Sequence, residues 1–217
     1  MIHIPVGDAR LPGELTIPAH AHGLVLFAHG SGSSRFSTRN QFVARALEQR
    51  ALGTVLIDLL TPEEEAVDQH TAHLRFDIPM LADRLVAMVD WLKVQRMTSA
   101  LPIGLFGAST GGGAALMAAA ARPDDVAAVV SRGGRPDLAG DALPRVSAPT
   151  LLIVGGDDTP VIAMNRDAMR HMRGQVSLEI VPGATHLFEE PGTLERVAAL
   201  AGEWFTQHLH APVRHTS

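Results

Sequence analysis

The stretch IGLFGASTGGGAALMAAAA, from Ile103 to Ala121, decides how this chain is read. Ile103 to Phe106 is short and mostly apolar, as a strand buried on both faces should be. From Ala114 onward the run is almost all alanine, the strongest helix former. Between the two lies Gly107-Ala108-Ser109-Thr110-Gly111, a G-x-S-x-G pattern at a strand-to-helix turn. Such a turn forces its central residue into a strained backbone conformation, and glycine two positions to either side avoids collision with the neighbouring chain. The Ser109 hydroxyl is then expected to project above the sheet, at the positive end of the following helix. A glycine-rich turn with an incidental serine is the plain rival. A nucleotide-binding turn is not supported: neither G-x-G-x-x-G nor G-x-x-x-x-G-K-[ST] is present, and the single lysine, Lys93, is far from any glycine loop.

Outward from this element, strand-like and helix-like runs alternate. Leu24 to Ala28, Thr54 to Ile57, Val126 to Val130, Leu151 to Val154 and Val176 to Val181 are further short strand candidates. Glu14 to Ile17, with the first residues, is expected to form an antiparallel edge. Between the strands, Ile78, Leu81, Leu85, Met88, Val89 and Leu92 recur at three and four residues on one helix face. Phe42, Val43, Ala46 and Leu47 do the same, as do Leu194, Val197, Ala201, Trp204 and Phe205. The expectation is one α/β domain over residues 1–210, a mostly parallel sheet of about eight strands with helices on both faces, and a loose tail over 211–217.

Composition narrows the function classes. The 217 residues are 46% hydrophobic and 19% charged, enough apolar material for a sizeable core. A net charge of −5 argues against a nucleic-acid or anionic-membrane surface. Without cysteine there is no thiolate metal site, disulfide or cysteine nucleophile. No apolar run approaches a membrane span, and MIHIPVGDARLPG is not a signal peptide, so a soluble, cytoplasmic protein is expected.

In sheets of this kind chemistry gathers at the C-terminal strand ends. GLVLFAHGSGSS, from Gly23 to Ser34, ends a strand in a Gly–Ser–Gly loop suited to presenting backbone amides to a developing oxyanion, and the amides of Ser31 and Thr110 are the candidates. PTLLIVGGDDTPV sets Asp157 and Asp158 just past a strand, and LEIVPGATHLFEEPG sets His186 in the loop before the last helix. An elbow serine takes its partners in the chain order serine, acid, histidine. Of the 11 histidines, six precede Ser109; His171, His208, His210 and His215 fall in helices or the tail. His186 is therefore the candidate base, with Asp157 or Asp158 as its acid.

Together these pieces resemble the α/β-hydrolases, and more closely small serine members of the dienelactone hydrolase family. FAHGSGSSRFSTRN, DLLTPEEE, RFDIPMLADRL, GASTGGG, SRGGRPDLAG, LLIVGGDDTPV and GATHLFEEPG carry the likeness. The resemblance implies Ser109 as nucleophile with His186 and Asp158 as partners, the G-x-x-D spacing after the strand favouring Asp158 over Asp157. It implies hydrolysis of esters or related acyl or lactone compounds without a cofactor. Dienelactone hydrolases proper use a cysteine where Ser109 stands, so a carboxylesterase-like activity on a small-molecule acyl substrate is expected in place of the named lactone. Some relatives are fused to phosphoribosyltransferase domains; nothing in these residues implies such a partner.

The short interval between Ser109 and Asp158 leaves no room for a cap. An open mouth walled by Ser31 to Arg39 and Arg132 to Asp137 is expected, where Arg35, Arg132 and Arg135 are candidates to meet an anionic acyl group unless they pair with nearby acids. His20-x-His22, His70-x-x-His73 and His208-x-His210 lack a matched third ligand, so no metal is expected. A histidine base must be neutral to work, so activity should fall below about pH 6. The alternatives are a catalytically silent binding module on the same fold, or acyl transfer to an alcohol by the same three residues.

Overall fold

The computed structural model describes residues 1–210; the expected tail, 211–217, lies outside the described residues. Strand β3 (Gly23–Ala28) is buried at all six positions. Alternation across the strand sends Leu24, Leu26 and Ala28 into one core and Val25 and Phe27 into another. Strand β5 (Ile103–Ala108) is buried in the same way, and its Leu105 and Phe106 face opposite cores. Helices α3 (Ile78–Val94) and α4 (Thr110–Ala121) cover one face, while α1 (Thr38–Glu48) and α6 (Thr193–His208) cover the other.

The remaining strands are β1 (Ile2–Val6), β2 (Ala9–Thr16), β4 (Leu52–Ile57), β6 (Val126–Arg132), β7 (Thr150–Gly155) and β8 (Val176–Val181). They form one sheet in the order β1-β2-β4-β3-β5-β6-β7-β8. The first two strands run antiparallel to their neighbours and every pair from β4 to β8 is parallel. β5 therefore lies near the middle with β3 and β6 beside it, and the carboxyl ends of the parallel strands share one rim of the sheet. No separate cap is inserted among the described residues. No helix among them is long and apolar enough to cross a membrane.

Strand ends shift, β2 covering Ala9–Thr16 where Glu14 to Ile17 was expected, and three further departures stand out. β8 is only half-buried except at Val181, because it is the edge strand with a neighbour on one side alone. β6 runs on to Arg132 instead of ending at Val130, which carries that arginine to the functional rim. Helix α2 (Pro62–Thr71) was not anticipated. Its start is a capping box: Glu64 N–H donates to Thr61 Oγ1 at 3.2 Å and Thr61 N–H donates to Glu64 Oε2 at 2.8 Å. Helix α5 (Thr159–His171) and a 3₁₀ segment, Pro136–Arg145, complete the covering layers.

Candidate active site

Ser109 follows β5 directly and has φ 51° and ψ −122°, a backbone conformation that non-glycine residues rarely hold. The glycines two positions to either side leave no room for a side chain. A Cβ on Gly111 would meet the carbonyl oxygen of Ala28 at 2.3 Å, and one on Gly107 would meet that of Gly111 at 2.5 Å. The turn is tied to the end of β6 and the segment after it: Ser109 N–H donates to the Arg132 carbonyl at 3.2 Å, and Arg135 N–H donates to the Ser109 carbonyl at 3.0 Å.

Two later strand ends meet this serine. His186, in the loop after β8, has Nε2 3.4 Å from Ser109 Oγ and Nδ1 2.7 Å from Asp158 Oδ2. Asp158 is the first residue beyond the β7 turn and stands at the N-cap of α5, yet its carboxylate makes no capping hydrogen bond. It is free for the histidine, and its side chain is 12% exposed. Asp157 is exposed and is held through its backbone, N–H to the Ala184 carbonyl at 3.0 Å. A serine hydroxyl, an imidazole and a carboxylate thus lie in line, the geometry for moving a proton off the hydroxyl.

The loop after β3 closes the other side. Ser31 N–H donates to Thr110 Oγ1 at 2.9 Å, linking the two residues singled out as amide donors. The Thr110 amide belongs to the first turn of α4, where backbone N–H groups have no partner within the helix. His29 anchors this loop from beneath. Its Nδ1–H donates to the Gly30 carbonyl at 2.9 Å, and its Nε2 accepts from Leu59 N–H at 3.0 Å. Only a neutral ring can do both, and burial holds its pKa below the ordinary histidine value against the opposing pull of the Gly30 carbonyl, Asp58 and Glu65.

The three candidate arginines separate. Arg35 pairs with Asp58, its backbone N–H donating to Oδ1 at 2.7 Å and its guanidinium to Oδ2. Arg135 makes a forked pair with Asp137 at 2.9 and 2.7 Å. Arg132 alone is brought to the serine. It lines a cavity of about 250 Å³ with Ser109, His186, Ser31 and Leu187. Two residues on α1 share that cavity: Arg39, which the sequence placed at the end of a loop walling the mouth but gave no role, and Asn40, which went unnoticed. One signal was available for Arg39: a cation in the first turn of a helix opposes the helix dipole, and no acid stands in that turn to offset it. A second cavity of about 470 Å³ adjoins the first at Ser33 and Ser37 and is walled by His29, Asp58, Glu65 and Phe36.

Comparison with known proteins agrees with this architecture. A solved structure of the dienelactone hydrolase of Anabaena variabilis is 61% identical, with a TM-score of 0.95 over 96% of this chain and 97% of that one. Est1E of Butyrivibrio proteoclasticus, at 17% identity, shares the fold with a TM-score of 0.79 over 95% of this chain and 97% of its own. A protein of Mycobacterium tuberculosis named "Putative phosphoribosyl transferase" is 55% identical over 211 residues, which are 97% of this chain and 47% of that protein. The chain thus spans about half the length of the curated relatives it matches. The description Dienelactone hydrolase family matches residues 49–209, a stretch containing Ser109, Asp158 and His186. By that match and by the near-complete likeness to the Anabaena structure, the chain belongs to the dienelactone hydrolase family, and it carries the α/β-hydrolase fold.

Proposed function

We propose that the protein is a serine hydrolase that cleaves carboxylic esters or related acyl compounds through Ser109, His186 and Asp158. The observation that carries this reading is the relay from Ser109 Oγ to His186 Nε2 at 3.4 Å and from His186 Nδ1 to Asp158 Oδ2 at 2.7 Å, mounted on a strained elbow. Ser109 Oγ attacks the acyl carbonyl while His186 Nε2 takes its proton. Asp158 accepts from Nδ1–H, which fixes the tautomer and stabilises the imidazolium. The oxyanion rests on the amides of Ser31 and Thr110, the Ser31 N–H shared between the Thr110 hydroxyl and the charge. The imidazolium returns its proton to the leaving alcohol, leaving Ser109 acylated. Water, deprotonated by the same imidazole, then releases the acid. The 3.4 Å separation is of the kind that tightens when substrate binds.

The name of the mycobacterial relatives points to phosphoribosyl transfer. That name belongs to chains about twice as long, and the shared half corresponds here to the serine, histidine and aspartate cluster. The acyl chemistry is therefore assigned to this unit. Labelling with a fluorophosphonate probe and peptide mapping tests it: a tag on Ser109, with ester hydrolysis lowered by several orders of magnitude in Ser109→Ala, is the expected result. An untagged Ser109 in folded protein would mean a silent binding module, and ester formation from added alcohols in place of hydrolysis would mean an acyltransferase.

A further inference from the structure

Asn165 lies on α5 and is fully buried. Its Nδ2 donates twice, to the Val161 carbonyl one turn back at 2.8 Å and to the Gly134 carbonyl at 3.0 Å. The first bond stays within the helix. The second reaches 31 positions up the chain, to the segment 132–135 that leaves β6 beside the elbow. Asn165 Oδ1 accepts from no donor among the described residues, so the side chain acts there only by donating. Gly134 is buried as well, and no other donor among the described residues serves its carbonyl. A buried carbonyl that loses its donor is costly, so this bond holds the helix and the segment at one spacing.

The segment touches two of the three residues of the relay. Ser109 N–H donates to the Arg132 carbonyl at 3.2 Å and Arg135 N–H donates to the Ser109 carbonyl at 3.0 Å, which pins the elbow residue on both sides. Gly133, at φ 52°, backs the histidine: a Cβ there would lie 3.1 Å from the His186 carbonyl oxygen and 3.6 Å from its Cε1. The third residue, Asp158, is the N-cap of α5, the helix that carries Asn165, and its carbonyl accepts from Ile162 N–H at 3.0 Å. The bond from Asn165 to Gly134 therefore joins the helix that begins at the acid to the segment that pins the serine and backs the histidine. We propose that Asn165 is a positioning residue, which through this strut sets how far His186 stands from Ser109 and from Asp158. It touches no reacting atom and acts only through the backbone of 132–135. Its effect on rate rests on the serine-hydrolase reading of the same site, whereas its effect on the spacing does not.

The test pairs Asn165→Leu, which keeps the side-chain size and removes both donated bonds, with Ala168→Gly. Ala168 is buried one turn further along α5, so its loss weakens the same helix without touching Gly134. With p-nitrophenyl acetate, Asn165→Leu should lower kcat about tenfold or more and change KM less than about twofold, as a misplaced relay does. Ala168→Gly should lose Tm as well yet keep kcat within about twofold of wild type, because stability alone does not set the relay. Asn165→Ser can still bond the Val161 carbonyl but is too short for Gly134; it should resemble Asn165→Leu, and it serves if that variant does not fold. Crystal structures of wild type and variant give a readout without turnover. Either His186 Nε2 to Ser109 Oγ or His186 Nδ1 to Asp158 Oδ2 should lengthen by about 0.5 Å or more in the Asn165 variant, the tolerance of a productive site. Unchanged kcat in the Asn165 variants, equal losses in Ala168→Gly, or unchanged spacings would overturn the strut while fluorophosphonate labelling of Ser109 still upheld hydrolysis. If wild-type Ser109 takes no label, the hydrolase reading fails, and the crystallographic spacings decide the strut by themselves.

Discussion

At the scale of single residues, Thr110 does two things at once. Its amide is one proposed oxyanion donor, and its hydroxyl accepts from the Ser31 amide, the other, at 2.9 Å. The hydroxyl therefore acts as a positioning group that keeps the loop after β3 within reach of the elbow. A hydrogen bond of this kind contributes roughly 0.5–1.5 kcal/mol, so Thr110→Val should lower kcat by about three- to tenfold with KM little changed, and Thr110→Ser should retain it. Steady-state kinetics on a neutral ester check this, and an unaltered kcat in Thr110→Val would remove the hydroxyl from the account. Ser109, Asp158 and His186 could be picked out in the sequence as a candidate set because each lies within a few residues of a strand's end, in the one chain order that an elbow serine uses. The partnering of Asp158 was left to family likeness, and the structure brings it, with Asp157 exposed, to the histidine. The gathering of Arg39 and Asn40 beside Arg132 was not legible, although Arg39 had been placed in the wall of the mouth. They sit in an ordinary amphipathic helix, and their nearness to Arg132 is a contact across 92 positions for Asn40, which no local pattern encodes.

At the scale of elements, the elbow works because α4 can press against the ends of β3 and β5. Gly111 is where that approach is closest, a Cβ there falling 2.3 Å from the Ala28 carbonyl and 2.7 Å from that of His29. Neither contact is with a flexible side-chain tip, so the helix or the strand end must move. Gly111→Ala should cost about 1–3 kcal/mol, the usual range for overpacking, and should displace Ser109 from His186. A lower urea midpoint together with weaker fluorophosphonate labelling is the expected pair of results. Full labelling at wild-type stability would show that the close approach is dispensable. The core strands were legible for the same physical reason: two-sided burial writes an unbroken apolar run. β8 departs because an edge strand need not be buried on both faces, and α2 was missed although Thr61-x-x-Glu64 had spelled out its capping box. Three acidic residues in its first turn suit the helix dipole but hid it among polar, loop-like residues.

At the scale of the whole molecule, His29 ties the end of β3 to the chain leaving β4, through Nδ1–H to Gly30 and Nε2 from Leu59 N–H, while 8% exposed. Its burial makes stability depend on pH in a definite direction. Folded His29 has a depressed pKa, whereas in the unfolded chain it titrates near the ordinary value of about 6.5. Below that value the unfolded chain holds a proton that the folded protein refuses. The unfolded state then binds more protons, and stability falls as pH falls, until the folded pKa is passed and the dependence from this group ends. Above about pH 7 both states are neutral here and the group contributes no slope. Within the window one proton is worth at most about 1.4 kcal/mol per pH unit, or roughly 3–6 °C in Tm for a chain of this length. His29→Gln removes the titration while keeping a polar side chain. Between pH 7.5 and 5.5, wild type should therefore lose several degrees more than His29→Gln, each measured against its own value at pH 7.5, so that the shared titration of the other histidines cancels. Parallel Tm profiles for the two proteins would show that His29 keeps its proton equilibrium on folding and that the loop beneath the oxyanion amides is held by something other than a neutral ring.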